Sequence, residues 1–185
     1  SGFGRGGARP PQKGPDRAYR LRVPFEDAAT CKPQRVTLAD GKTIDLKLAP
    51  GVETGTQMRL AGKGDPGPGG NGDALVTIDI QPHAFFRRDG DNVLLDLPVT
   101  LAEAVVGGKV KVPTVDGPVM LAVPAGSSSG RVLRLKGRGF SRKGGDRGDQ
   151  LVTLMVDLPA DDPELRTFVE GWAGAARNPR AALGV

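Results

Sequence analysis

Apolar and polar residues alternate with a period of two along most of the chain from Ala18 onward. Such alternation is typical of strands that bury one face. The runs are separated at short intervals by glycine, proline and aspartate, which favour turns. The sequence therefore predicts a mainly antiparallel β protein, with strands in the ranges 19–23, 36–38, 44–48, 76–80, 93–99, 109–114, 118–123, 131–135 and 150–158.

The pattern occurs twice because the chain contains an internal repeat. The aligned pairs are LRVPFEDA (21–28) with LPVTLAEA (97–104), APGVETGTQMRLAGKG (49–64) with PAGSSSGRVLRLKGRG (124–139), and GDALVT (72–77) with GDQLVT (148–153). We call residues 19–80 the first copy and residues 95–158 the second copy. The segment QPHAFFRRDGDN (81–92) joins them, and we call it the joint.

The repeat predicts two tandem, similar β-sandwich-like domains with short helices, plus a C-terminal helix. We place the first β domain at 18–92 and the second β domain at 93–160. Residues 1–17 are predicted to be a disordered Gly/Arg-rich linker, because they contain few apolar residues. Residues 161–185 are predicted to form a C-terminal helix and tail.

Three helices fit this arrangement. PFEDAA (24–29) and TLAEAVVG (100–107) each carry an acidic residue near a helix start, which favours the helix dipole. In the C-terminal helix, Asp161 or Asp162 can cap the first turn, which contains Pro163. Its apolar stripe, which we call the C-terminal stripe, consists of Leu165, Phe168, Val169 and Trp172. The stripe can pack on the second copy or pair with a second molecule.

Composition limits the remaining choices. One cysteine and one histidine argue against disulfides and structural zinc, so we expect no metal and no cofactor. No long apolar run suggests a membrane segment or a secretory signal, so a cytoplasmic protein is the simplest interpretation. The net charge is +5, of which residues 1–18 contribute +3 and the remainder +2. This distribution weakens, without removing, a role in binding nucleic acid.

Candidate chemistry is sparse. The stretch AGKGDPGPGGNGD (61–73), which we call the glycine loop, contains a formal G-x-G-x-x-G match, but a strand follows it, and a dinucleotide loop needs a helix there. We therefore interpret it as a structural turn. His83 and Cys31 lack a recognisable catalytic setting, and the acidic residues form no pair with general acid/base spacing. RKGGDRGD (142–149) is interpreted as a solvated loop, and we do not expect an enzyme.

Several stretches together resemble the C-terminal substrate-binding region of DnaJ-class (J-domain) co-chaperones. They are FEDA, PGVETGTQMRLAGKGDPGPGGNGD, ALVTIDIQPHAFFRRDGDNV, LAEAVVGGKVKVPTVDGPVMLAVPAG and RVLRLKGRG, over about residues 18–173. No His-Pro-Asp loop of a J-domain occurs in the sequence, and no cysteine-rich zinc module interrupts the first copy. The chain therefore resembles the zinc-less class, to which the curved-DNA-binding J-protein of bacteria belongs.

The resemblance implies a homodimer formed through the C-terminal stripe, which holds unfolded polypeptide clients and delivers them to a DnaK-type chaperone. It also implies a shallow apolar client groove on the first copy. By motif alignment, its residues are Tyr19, Leu21, Val36, Leu38 and Phe86. The alternative is that all five residues belong to the core. DNA binding is kept as an alternative function, because of the basic residues and the curved-DNA-binding relatives.

Overall fold

The computed structural model describes residue 2 and residues 6–185. The predicted mainly β fold class is confirmed in this part of the chain. The strands are β1 (Arg17–Val23), β2 (Gln34–Thr37), β3 (Thr43–Leu46), β4 (Gln57–Leu60), β5 (Ala74–Ile80), β6 (Arg87–Asp89), β7 (Asn92–Thr100), β8 (Gly108–Val112), β9 (Val119–Val123), β10 (Val132–Leu135) and β11 (Gln150–Asp157). The α-helices are α1 (Phe25–Thr30), α2 (Leu101–Val106) and α3 (Pro163–Glu170). Short 3₁₀ turns follow at Ala173–Ala176 and Ala181–Leu183.

Each copy of the repeat forms one main sheet and one separate two-stranded hairpin. The main sheets have the strand orders β1-β5-β4 and β10-β11-β7-β6, and the hairpins are β2-β3 and β8-β9. Five of the seven strand pairs in the described residues are antiparallel, in line with the prediction. The first and last strands of each copy are instead parallel, with Arg17 opposite Ala74 and Val93 opposite Gln150. Alternation shows which face is buried but not strand direction, so the sequence did not reveal this pairing.

The alternating residues form a continuous apolar core. Val76 and Ile78 of β5, and Val152 and Leu154 of β11, are fully buried. They occupy equivalent positions in the two copies, so each main sheet presents the same inner face to its hairpin and helix.

The predicted helices are present; α1 has no side-chain cap, whereas α2 and α3 are capped. Thr100 and Glu103 form a reciprocal capping box at α2, which satisfies two backbone N–H groups. Asp162 caps α3 by accepting from the Leu165 N–H, and Pro163 is the first helical residue. The helix ends at Glu170, so Trp172 of the predicted stripe lies just beyond it. Among the described residues, no helix combines the length and apolarity needed to cross a bilayer.

The predicted linker lies partly outside the described residues, which omit positions 1 and 3–5. The first strand begins at Arg17, the last position of that linker. Immediately before it, residues 12–16 are hydrogen-bonded to the glycine loop. The boundaries of the linker and of the two domains stay predictions.

The joint packs against both copies. The Phe140 ring is fully buried and meets the Phe25 ring edge-on at a centroid distance of 5.2 Å. The Arg88 guanidinium lies 3.8 Å from the centroid of the Phe140 ring and donates to the Val52 carbonyl at 2.7 Å. Burial lowers the pKa of Arg88 from its ordinary value. Both the N–H and the hydroxyl of Ser141 donate to a carbonyl at the end of α1, at 2.9 and 3.0 Å.

The glycine loop is held by the carboxylate of Asp73. This group accepts from the Gly62 N–H at 3.0 Å and from the Arg59 guanidinium at 2.7 Å. In the second copy, Asp149 likewise accepts from the Gly137 N–H, at 2.8 Å. Gly62 has a φ of +70°, in the left-handed region that favours glycine, and β5 follows the loop. The geometry supports a structural turn. The Gly62 N–H, followed by Arg59, lowers the pKa of Asp73 from its ordinary value.

We expect Phe140→Ala to lower the free energy of unfolding by about 3–5 kcal/mol, because it leaves a cavity against Phe25 and removes the surface on which Arg88 stacks. Urea denaturation at neutral pH measures this change. Met120→Ala, on the exposed face of β9, is the control and should stay within about 0.5 kcal/mol of the parent. Equal losses in both variants would contradict the packing argument.

We expect the Asp73 carboxylate to stabilise the fold above the ordinary pKa of 3.8, and this stabilisation to be lost as the pH falls through its lower folded-state pKa. The folded state binds its proton less readily than the unfolded state, which gives the sign. Unfolding free energies at a series of acidic pH values should therefore fall more steeply for the parent than for Asp73→Asn. The pKa of Asp73 can be measured by NMR from the chemical shift of its carboxyl carbon. A measured pKa at or above the ordinary value would refute this assignment.

Candidate functional site

A cleft of about 360 Å³ opens in the first copy between the β2–β3 turn and the glycine loop. We call it the first-copy cleft. It lies beside the beginning of β1, which is an edge strand of its sheet. Its lining residues are Arg17, Tyr19, Leu38, Ala39, Asp40, Lys63, Gly64, Asp65, Pro66 and Asn71.

Tyr19 and Leu38 supply the apolar part of this cleft. Tyr19 lies on the inward-facing side of β1 and is half-buried, while Leu38 follows β2 and is buried. The Tyr19 hydroxyl accepts from the Ala39 N–H at 3.0 Å, which connects the edge strand to the hairpin turn. An apolar side chain entering the cleft would therefore contact a ring and an aliphatic group that are already held in place.

The rim of the cleft carries charges of both signs. Arg17 pairs with Asp65 at 3.1 Å across one end. Among the described residues, Lys63 and Asp40 have no ion-pair partner. Asn71 donates to the Gly62 carbonyl at 3.2 Å, within the loop itself. The hairpin turn and the glycine loop are thus not joined by an ion pair.

The second copy differs at this place. Its turn residue Asp116, the counterpart of Asp40, pairs with Arg138 at 3.4 Å and with Arg147 at 2.9 Å. Arg147 also donates to the Gly139 carbonyl at 2.8 and 3.1 Å. These contacts fasten the turn to the loop, and we call them the second-copy clamp. The aligned residues in the first copy are Lys63 for Arg138 and Asn71 for Arg147.

Two apolar positions are likewise more accessible in the first copy than in the second. The counterparts of Tyr19 and Leu21 are Leu95 and Leu97, which are buried, whereas Tyr19 and Leu21 are half-buried. The counterpart of Leu38 is Thr114, which donates through its hydroxyl to the carbonyl of Gly117. At Tyr19 and Leu21 the first copy thus keeps apolar surface accessible, whereas the second copy buries the equivalent side chains.

The five predicted client-binding residues are divided between two places. Tyr19 and Leu38 line the first-copy cleft, and Leu21 continues the half-buried row along β1. Val36, Leu38 and Phe86 are 6, 5 and 4% exposed, so the alternative that these residues belong to the core describes those three. Phe86 lies at the joint and is not among the residues that line the cleft. The client-binding role of the five stays a prediction.

Sequence analysis missed the polar part of the site. It selected apolar positions, whereas Asp40, Lys63 and Asn71 also line the cleft. The signal was available in the repeat, since an arginine at 147 and an asparagine at 71 occupy aligned positions.

His83 belongs to the joint. Its Nδ1 accepts from the N–H groups of Phe85 and Phe86, at 3.2 and 3.3 Å. Its Nε2 donates to Glu26 at 2.5 Å. Its ring also packs against those of Phe25, Phe85 and Phe86. Both ring nitrogens are thus engaged in contacts within the joint and with α1. In the described part of the chain, no cluster of three or more metal-ligating side chains occurs.

The C-terminal stripe is accessible. Phe168 is 65% exposed and Trp172 is 55% exposed, while Val169 is partly exposed and Leu165 half-buried. Trp172 also lines a cavity of about 750 Å³ with residues of the second copy, among them Val105 and Val156. An apolar surface therefore extends from the second copy to the residues after α3.

Comparison with known proteins agrees with this architecture. The DnaJ C terminal domain family matches residues 17–159. The chain is 41% identical over 147 residues to chaperone protein DnaJ 2 of Mycolicibacterium paratuberculosis, covering 76% of this chain and 38% of that protein. It is 43% identical over 148 residues to chaperone protein DnaJ 1 of Streptomyces coelicolor, covering 77% and 37%.

A third relative, chaperone protein DnaJ of Roseiflexus sp., is 42% identical over 135 residues, covering 70% of this chain and 36% of that protein. The matches thus span less than two fifths of the length of these relatives. The family match covers both copies of the repeat and the joint between them. The chain therefore belongs to the DnaJ C terminal domain family.

Proposed function

We propose that this chain is the client-binding region of a co-chaperone, which holds unfolded or misfolded polypeptides at the first copy. The observation that carries the proposal is the open cleft beside an edge strand in the first copy, at the place where the clamp fastens the second copy. Membership of the DnaJ C terminal domain family supports a chaperone role. Delivery of the client to a DnaK-type chaperone is part of the proposal and rests on the family resemblance.

The proposed binding is physical, without a chemical step. An unfolded client exposes apolar side chains, each worth roughly 1.5–3 kcal/mol when fully buried. A shallow cleft buries only part of each side chain, and ordering the client costs conformational entropy. We therefore expect the dissociation constant to be roughly micromolar at the tightest, which corresponds to a binding free energy near −8 kcal/mol. Weak binding allows the client to be released.

The position of β1 adds a contact that does not depend on the client's sequence. Since β1 is at the edge of the sheet order β1-β5-β4, an extended segment can pair with its backbone and insert alternate side chains towards the half-buried row. Tyr19 and Leu21 are spaced two residues apart on that strand and face the same side. This combination suits clients of varied sequence.

We further propose that the chain forms a homodimer through the C-terminal stripe. The exposed Phe168 and Trp172 provide apolar surface that a two-fold contact can bury. Two first-copy clefts in one dimer raise the effective concentration of the second site once the first is occupied. A long unfolded client is then held more firmly than a short peptide.

DNA binding, the alternative considered from the sequence, has no specific observation in its favour. Ten of the eleven ion pairs in the described residues join an arginine to an aspartate. Arginines neutralised in this way are less available for phosphate contacts. Client binding is the function that the geometry supports better.

We predict that the double substitution Lys63→Arg with Asn71→Arg, which copies the second-copy clamp, weakens client binding by about tenfold or more. The new arginines can pair with Asp40 and so fasten the turn to the loop across the cleft. The measurement is fluorescence anisotropy with labelled, reduced and carboxymethylated α-lactalbumin, a permanently unfolded chain. Far-UV circular dichroism verifies that the fold is kept.

The matched control is Lys109→Arg with Asn178→Arg, which makes the same residue changes far from the cleft in sequence. It should bind the labelled chain like the parent. If both double variants bind as well as the parent, the cleft is not the client site. If the parent does not bind at all, the proposed function is refuted.

We predict that Phe168→Asp with Trp172→Ser shifts the protein from dimer to monomer, because it removes the most exposed apolar surface of the stripe and adds like charges across a two-fold axis. Sedimentation equilibrium measures the change. Met155→Ser, a partly exposed apolar residue of β11, serves as a control that leaves the dimer intact. A parent protein that sediments as a monomer at all concentrations contradicts the proposed interface.

A further inference from the structure

Residues 11–16, which we call the strap, lie against the glycine loop. The Gly14 N–H donates to the Gly70 carbonyl at 3.0 Å, and the Gly69 N–H donates to the Gln12 carbonyl at 2.8 Å. The Asp65 N–H donates to the Pro15 carbonyl at 3.0 Å. The strap is therefore joined to the loop by backbone hydrogen bonds in both directions, although its side chains are largely exposed.

Asp16 is the last residue of the strap, and its carboxylate contacts the glycine loop and Arg59. Its Oδ1 accepts from the Asp73 N–H at 2.7 Å, and its Oδ2 lies 3.4 Å from the Arg59 guanidinium. Asp73 is the carboxylate that holds the glycine loop, and Asp65 of that loop lines the cleft and pairs with Arg17. The strap and the first-copy cleft thus share one wall.

The second copy contains the same arrangement, formed there by the joint. The Phe140 N–H donates to the Asp91 carbonyl at 2.8 Å, and the Asp149 N–H donates to Asn92 Oδ1 at 3.0 Å. Asp91 aligns with Pro15 and Asn92 aligns with Asp16. The chain segment that enters each copy is therefore docked at the equivalent place, and the strap is the first copy's version of the joint.

The spacing between strap and loop explains why the loop is rich in glycine. A Cβ atom at Gly67 would lie 2.3 Å from the Gly14 nitrogen, and one at Gly72 would lie 2.2 Å from the Pro15 carbonyl oxygen. The equivalent Gly148 has the Asp91 carbonyl oxygen at 2.0 Å from its Cβ position. These neighbours are backbone atoms, so no side-chain rotation can relieve the overlap. The glycines permit the docked strap.

We propose that Asp16 is a positioning residue, which docks the strap on the glycine loop and thereby fixes the loop as a wall of the first-copy cleft. The proposal rests on the proposed function of that cleft in client binding. Release of the strap breaks the hydrogen bonds that the N–H groups of Asp65 and Asp73 donate to it. The glycine loop then loses its fixed position beside the cleft.

The experiment compares Asp16→Ala with Asp16→Asn in the full chain. Asparagine keeps the acceptor for the Asp73 N–H, as Asn92 does in the second copy, whereas alanine removes it. Amide hydrogen exchange is measured at Gly14, Asp65, Gly69 and Asp73, whose N–H groups bond across the strap–loop contact. The amides of Phe140 and Asp149 make the equivalent contacts in the second copy and serve as internal controls.

We expect Asp16→Ala to accelerate exchange at the four first-copy amides by about tenfold or more and to leave the two control amides unchanged. Asp16→Asn should retain protection. Anisotropy with the same labelled, carboxymethylated α-lactalbumin should show weaker binding for the alanine variant and near-parent binding for the asparagine variant. This pattern would support the proposal.

Three results would overturn it, and each has a different meaning. Unprotected Gly14 and Gly69 amides in the parent would refute docking of the strap. Accelerated exchange in Asp16→Ala with unchanged client binding would refute the coupling and leave the proposed function intact. A parent that does not bind the unfolded chain would refute the proposed function and the coupling together, while the exchange rates would still decide whether the strap is docked.

Discussion

The parallel pairing between the first and last strands of each copy determines the rest of the structure. Parallel neighbours need a long connection, because the chain must return to the same end of the sheet before the second strand begins. In the first copy, this connection contains α1, the β2–β3 hairpin and β4. It ends in the glycine loop, opposite the start of β1, since Arg17 pairs with Ala74. The cleft lies where these segments meet.

This geometry also explains the crowding around the glycine loop. The segment that enters β1 and the loop that leads into β5 arrive at the same end of two paired strands, so their backbones approach closely. Glycine at Gly67 and Gly72 is a consequence of that approach. The stretch that resembles a nucleotide loop by its letters is thus a docking surface for the chain's own backbone, and the same is true of its counterpart before β11.

The sequence predicted most of the regular structure because one buried face leaves a period of two, and helix caps leave recognisable residues such as Asp162. It failed for β6, where Arg87–Asp89 carries three charged side chains and no alternation. It did not identify β4 as a strand, since the first residue of Gln57–Leu60 is polar and the strand is short. The motif resemblance selected Tyr19 and Leu38, which line the cleft. The polar rim depends on contacts between distant segments, and the alternation of apolar and polar residues carries no information about such contacts.

The two copies of the repeat differ in how the hairpin turn and the loop are connected. In the second copy, Arg147 satisfies a carboxylate and a carbonyl at once, which holds the turn and the loop together. In the first copy, the uncharged Asn71 donates to the Gly62 carbonyl and forms no ion pair with the turn, and the cleft beside Tyr19 remains open. The buried Phe140 and the stacked Arg88 tie the fastened copy to the open one through the joint.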